Sequence, residues 1–175
     1  MKDLLPPHDP IEAMGEAYEL LLEKALQKAH QSGNLIHHMI EAVRDEIVAI
    51  SKFSDDEVIK LGEYVKRDLG DAARYLDKTG DQLKDWLGFD VTLVKHEFWE
   101  LFSKAADQTT IALKELKRQA ENAEYHTGEL VGLGTLACDQ CGKKLHFHKP
   151  GHIPPCPKCN STRFHRQNFA FEKSS

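Results

Sequence analysis

Cys138-Asp139-Gln140-Cys141-Gly142 and Cys156-Pro157-Lys158-Cys159-Asn160 decide how the C-terminal part of this chain folds. Each is a pair of cysteines separated by two residues, and 14 residues lie between the pairs. A two-residue gap lets both sulfurs of a pair face one ion from a tight turn, where amide hydrogens stabilise the thiolates. The position after each pair suits a residue that tolerates left-handed backbone, and Gly142 and Asn160 stand there. Four thiolates, from Cys138, Cys141, Cys156 and Cys159, complete a tetrahedron around one Zn2+ and leave no open position for water. The expected metal is therefore structural, not catalytic. A rubredoxin-like iron would use the same donors. Zinc is preferred because no flavin, haem or second cluster motif accompanies the cysteines.

All four cysteines fall within 22 residues, and residues 1–137 hold none. In a reducing compartment such a cluster holds metal in preference to forming disulfides. Met1-Lys2-Asp3-Leu4-Leu5-Pro6-Pro7 offers neither an apolar targeting core nor a small-residue cleavage site. No apolar run is long enough to span a membrane. The chain is expected to be cytoplasmic, with no membrane partner.

Around the cysteines, 135–137, 144–148 and 163–169 read as short strands, three of which make a zinc ribbon. Its apolar surface is too small for independent folding, so metal binding is expected to supply most of its stability. His146 and His148 project to one face of their strand, and His165 is placed to join them. With no carboxylate beside them, they are read as exposed polar positions and not as a second metal site.

The remainder is helical. Apolar or small residues recur three and four apart from Ile11 through Tyr18, Leu22, Ala25, Ala29, Ile36, Met39, Val43 and Ile50. This phase passes Ser32-Gly33-Asn34 unchanged. It therefore predicts one long helix over 10–51, with Asp9 as its cap and a kink at Gly33 as the alternative. Ser54-Asp55-Asp56-Glu57 is a capping box opening a second helix, with Val58, Leu61, Val65, Leu69, Ala72 and Leu76 on one face. A third, more apolar segment contains Trp86, Phe89, Phe98, Trp99 and Phe102. Asp90 and Asp107 are candidate caps within it. Both tryptophans are read as core. These elements predict a mainly α fold: an elongated antiparallel helical hairpin or bundle, coiled-coil-like, over 1–123. A glycine-rich lead-in at 124–137 and a small β zinc ribbon at 138–170 follow.

Charge is divided between the parts. Residues 1–137 carry 16 Lys and Arg against 26 Asp and Glu, whereas 138–175 carry 7 against 2. A basic module on an acidic body suits phosphate contacts, attraction between the two parts, or a solvated surface with no partner. The candidate nucleic-acid-binding residues are Lys143, Lys144, Lys149, Lys158, Arg163 and Arg166. Gly132-Leu133-Gly134 lacks the third glycine and the flanking elements of a dinucleotide fingerprint, so that function is set aside. No nucleophile–base pair or phosphate loop is present, and an enzyme is not expected.

The run Tyr125-His126-Thr127-Gly128-Glu129-Leu130-Val131-Gly132-Leu133-Gly134-Thr135-Leu136, followed by the two cysteine pairs, resembles the proteobacterial zinc-ribbon-containing proteins of unknown function. Arg163-Phe164, Arg166 and Phe169 resemble the end of that family. The resemblance implies an N-terminal helical region, a C-terminal ribbon and the four cysteines as zinc ligands, with no established activity. The expected function is that of a non-enzymatic interaction protein. Its helical region would serve protein partners or self-association, and its ribbon would be a recognition tip. Nucleic-acid association through the basic ribbon is the alternative.

Overall fold

A computed structural model describes residues 10–33, 36–50, 53–79, 82–111 and 124–166. Helix α1 (Pro10–Ser32) is followed by α2 (Ile36–Ala42), α3 (Arg44–Ile50), α4 (Asp55–Thr79), the single turn α5 (Leu83–Trp86) and α6 (His96–Ile111). The expected cap Asp9, the end of the expected helical segment at 112–123 and the chain from 167 onward lie outside the described residues.

The expected 42-residue helix is broken at Gly33. There φ is +74°, and the Gly33 amide bonds the Ala29 carbonyl at 2.9 Å, which ends α1 in a left-handed cap. Helix α2 then packs back on α1. The apolar phase survived the break because both segments bury their stripes in one core. Tyr18, Leu22, Ala25 and Ala29 meet Ile36, Ile40, Val43 and Ile47 there. An unbroken phase reports a shared core, and a continuous helix is only one way to obtain it. The apolar stripe of α1 is thus satisfied within the chain, and α1 alone spans about 35 Å.

This break sets the sign of a substitution. Nothing lies within 4 Å of a Cβ added at Gly33, so only its backbone angle resists a side chain. Gly33→Ala is expected to destabilise by about 1 kcal/mol, whereas mid-helix it would stabilise by a similar amount. A urea titration distinguishes the two signs.

The capping box at α4 is formed as the residues predict. The Ser54 amide bonds Glu57 Oε1 at 3.1 Å, and the Glu57 amide bonds Ser54 Oγ at 3.3 Å. Asp90 caps the turn Val91–Leu93 by accepting from the Thr92 amide at 3.0 Å. Asp107 does not start a helix, since α6 runs through it. Helix α4 packs on α6 and on α2, and the rings of Trp86 and Phe102 stack at 5.5 Å. Trp86 is buried, as expected of a core residue, and Trp99 is partly buried against the same core.

The sheet begins earlier than the cysteine spacing suggests. Strands β1 (Tyr125–His126), β2 (Leu130–Val131) and β3 (Gly134–Cys138) occupy the expected lead-in, and β4 (Lys144–Phe147), β5 (Gly151–His152) and β6 (Arg163–Arg166) follow. The antiparallel order is β1-β6-β3-β4, with β2 and β5 paired separately. The lead-in is therefore sheet, and β3 lies in its middle. Leu130 and Leu133 enter the helical core, while Val131 and Leu136 enter a second, smaller core with Tyr125, Ile153 and Phe164. No helix of the described residues is long and apolar enough to cross a membrane.

Candidate metal centre

The two cysteine pairs fold into turns that repeat one hydrogen-bond pattern. The Cys138 amide bonds Lys143 O at 2.9 Å, and the Cys156 amide bonds Ser161 O at 2.8 Å. Gly142 N donates to Cys138 O, and Asn160 N donates to Cys156 O. The amides of Gln140 and Lys158 point at Cys138 Sγ and Cys156 Sγ, each at 3.4 Å. Gly142 and Asn160 have φ of +78° and +65°, the left-handed geometry expected after each pair.

These turns bring all four sulfurs within 4.8 Å of one another. Cys138 Sγ lies 3.5 Å from Cys159 Sγ, and Cys141 Sγ lies 3.5 Å from Cys156 Sγ. A tetrahedron with Zn–S bonds of roughly 2.3 Å has edges of about 3.8 Å, so the set needs little adjustment to close on one ion. Burial opposes a thiolate at Cys138. The amides of Cys141 and Gln140 and the neighbouring thiols outweigh it and pull the group down to about 6. Cys156 is lowered too: burial is overcome by the amides of Cys159 and Lys158. At Cys159 the Ser161 amide favours the thiolate, but burial and the three other sulfurs push it up to about 12. Such mutual repulsion is what a divalent cation relieves. Among the described residues this is the one group of three or more potential ligands that converges.

A family model described as a zinc-ribbon containing domain matches residues 23–168. The chain belongs to that family. Similar proteins are the "Uncharacterized protein YbeL" of Escherichia coli K12 and of the strains O6:H1 and O157:H7. Each is 27% identical over 161 residues, covering 89% of this chain and 97% of the relative. No solved structure matches the chain. In this zinc-ribbon family member, Cys138, Cys141, Cys156 and Cys159 are placed to bind one zinc ion.

The candidate phosphate-binding residues separate into two groups. Lys143, Lys144, Lys149 and Lys158 are exposed around the knuckles and the outer strand. Arg163 is exposed and lies 3.6 Å from Glu124. Arg166 does not belong with them, for it is buried at 2% exposure and faces the helices. Alternation along β6 puts Phe164 and Arg166 inward, and only a network of anions makes that position tolerable for a guanidinium. Its Nη2 donates to Asp68 Oδ1 at 3.0 Å, Nε to Tyr125 Oη at 3.1 Å, and Nη1 to Leu133 O at 2.5 Å. Nε also lies 3.0 Å from Asp71 Oδ2. Burial alone would weaken its hold on the proton, but Tyr125, Asp68 and Asp71 more than compensate.

The histidines are engaged as well. His146 Nδ1 lies 2.9 Å from Thr135 Oγ1, and its ring meets Phe89 edge-on, as does that of His148. His165 is 2.6 Å from the Asp139 carboxylate, a partner from the first knuckle that lies far off in sequence.

Reading the sequence missed Asp68, Asp71, Arg67 and Tyr125. Their signal is faint: two acids beside the apolar stripe of α4, adjacent to Leu69 and Ala72. Asp68 is fully buried and accepts from Tyr18 Oη at 2.7 Å, the Gly132 amide at 2.8 Å and Arg67 Nε at 3.3 Å, besides Arg166. Arg67 in turn donates to Leu130 O at 2.7 Å and Glu129 Oε1 at 3.0 Å.

Proposed function

We propose that the protein is a non-enzymatic, cytoplasmic interaction protein, with the ribbon as its recognition end and the helical body engaging protein partners or a second copy. The observation that carries this reading is the pair of knuckle turns. Their amide–sulfur bonds fix the backbone, and exposed Lys143 and Lys158 project from them. A metal held by four thiolates serves such a surface by making it rigid.

The charge-reversed variant Lys143→Glu/Lys158→Glu keeps the zinc ligands. It is expected to lose the partners that the unaltered protein captures from native lysate. An identical set of partners would remove the ribbon from the recognition surface. Light scattering over a concentration series tests self-association of the helical body, and a strict monomer at high concentration would exclude it.

A second reading, nucleic-acid association, is favoured by one feature. Among the described residues, Lys143, Lys144, Lys149 and Lys158 have no ion-pair partner. Four phosphate contacts on a single strand would give a slope of about −3 in log binding constant against log salt. Absence of binding to single-stranded DNA and RNA at low salt would sink this reading.

A further inference from the structure

We propose that zinc occupancy of the ribbon governs closure of the helical body, with Arg166 as the latch. Strand β6 is positioned by the metal centre. The Asp139 amide bonds Arg163 O at 3.0 Å, the Cys156 amide bonds Ser161 O, and Phe164 pairs with Cys138 on β3. Arg166 lies on that same strand. Its guanidinium passes between the rings of Trp86 and Tyr125, 4.5 and 5.0 Å from their centroids, and reaches α4.

The ribbon supplies much of what keeps α4's carboxylates tolerable in the interior. Asp68 takes two of its hydrogen bonds from the ribbon, through Arg166 and the Gly132 amide. Asp71, also buried, meets Arg166 and Arg74. Burial pushes the Asp71 carboxyl above its usual range even with these cations beside it. Without Arg166, Asp68 keeps Arg67 and Asp71 keeps Arg74, but the cation that lies 3.0 Å from both buried carboxylates is lost, and that arrangement opens to water.

Gly132-Leu133-Gly134, which has no dinucleotide role, is the cradle of this latch. A Cβ at Gly132 would come within 2.6 Å of the Tyr18 phenol ring, and one at Gly134 would collide with Arg166 Nη1. Gly134 also has φ of +113°. Both glycines allow the ribbon backbone to approach the Tyr18–Asp68–Arg166 cluster, and Leu133 between them offers the carbonyl that Arg166 bonds.

When the metal leaves, the knuckles no longer hold β6, Arg166 withdraws, and α4 opens along the face that carries Asp68 and Asp71. The ribbon thereby reports its metal state to a helix that holds no ligand.

The test is amide hydrogen exchange of the full chain, zinc-loaded and after removal of zinc by a chelator. Exchange of α4 amides at 64–74 is expected to rise about a hundredfold on chelation and to return when zinc is restored. In Asp68→Asn/Asp71→Asn, which has no buried carboxylate to neutralise, the rise is expected to stay below about threefold. Unchanged α4 exchange in the unaltered protein would overturn the proposal, whatever the variant does. So would a response of the double variant equal to that of the unaltered protein.

Discussion

Cys156→Ser is expected to lower the zinc content from one ion per chain to none and to unfold β3, β4 and β6. The serine hydroxyl is a poor ligand beside three thiolates, and the remaining sulfurs cannot complete the tetrahedron. Within the ribbon itself few apolar side chains are buried, and its ties to the helices through Leu130, Leu133 and Arg166 do not replace the metal. The ribbon's core consists of Tyr125, Val131, Leu136, Ile153 and Phe164, with Cys138 and Cys156 among them. Zinc sites of this kind contribute on the order of 10 kcal/mol to folding, about as much as burial of these five side chains together, so losing the metal removes close to half of what favours the fold. Elemental analysis reads the first effect, and amide exchange over 134–166 reads the second. The helical circular dichroism should persist at low temperature, but its thermal midpoint should fall, because Arg166 leaves with the ribbon. A ribbon that stays protected in this variant would refute the four-thiolate centre.

Arg166→Met is expected to cost about 3–5 kcal/mol while leaving the zinc ligands intact. Methionine fills similar space between Trp86 and Tyr125 but donates nothing. Asp68 then loses one of its donors and Asp71 loses its closest cation. Arg166→Lys should recover only part of the loss. A single ammonium cannot reproduce the fork that spans Asp68, Tyr125 and Leu133 O. Combining Arg166→Met with Asp68→Asn should cost less than the two changes summed, since the amide needs no counter-charge. Denaturant titrations of the four proteins give the coupling directly. Strict additivity would mean that the ion pair is not what the arginine supplies.

The metal centre was legible because its chemistry is local. Two cysteine pairs, a glycine and an asparagine carry the knuckle geometry within five residues each, and φ at Gly142 and Asn160 follows from that. The capping box at Ser54 and the cap at Asp90 were legible for the same reason. The break at Gly33 was not. Apolar periodicity records which residues face the core, and a helix that reverses onto the same core preserves it. The lead-in misled by composition: glycines that normally mark a linker are here demanded by Tyr18 and Arg166 pressing on the backbone. Arg166 itself could not be assigned from its neighbours. An arginine on a basic ribbon looks like a phosphate contact until its partner on α4 is known, and nothing near either residue names the other.

The hydrogen bond from Arg166 to Asp68 joins residues 98 positions apart. A ribosome extending the chain at about 5–20 residues per second needs roughly 5–20 s to travel that far. During this interval Asp68 and Asp71 of α4 have been made, but the cation from β6 has not. The Arg166–Asp68 contact therefore forms only after the last described strand has been made. A helix made early thus takes its closest cation from a strand made much later.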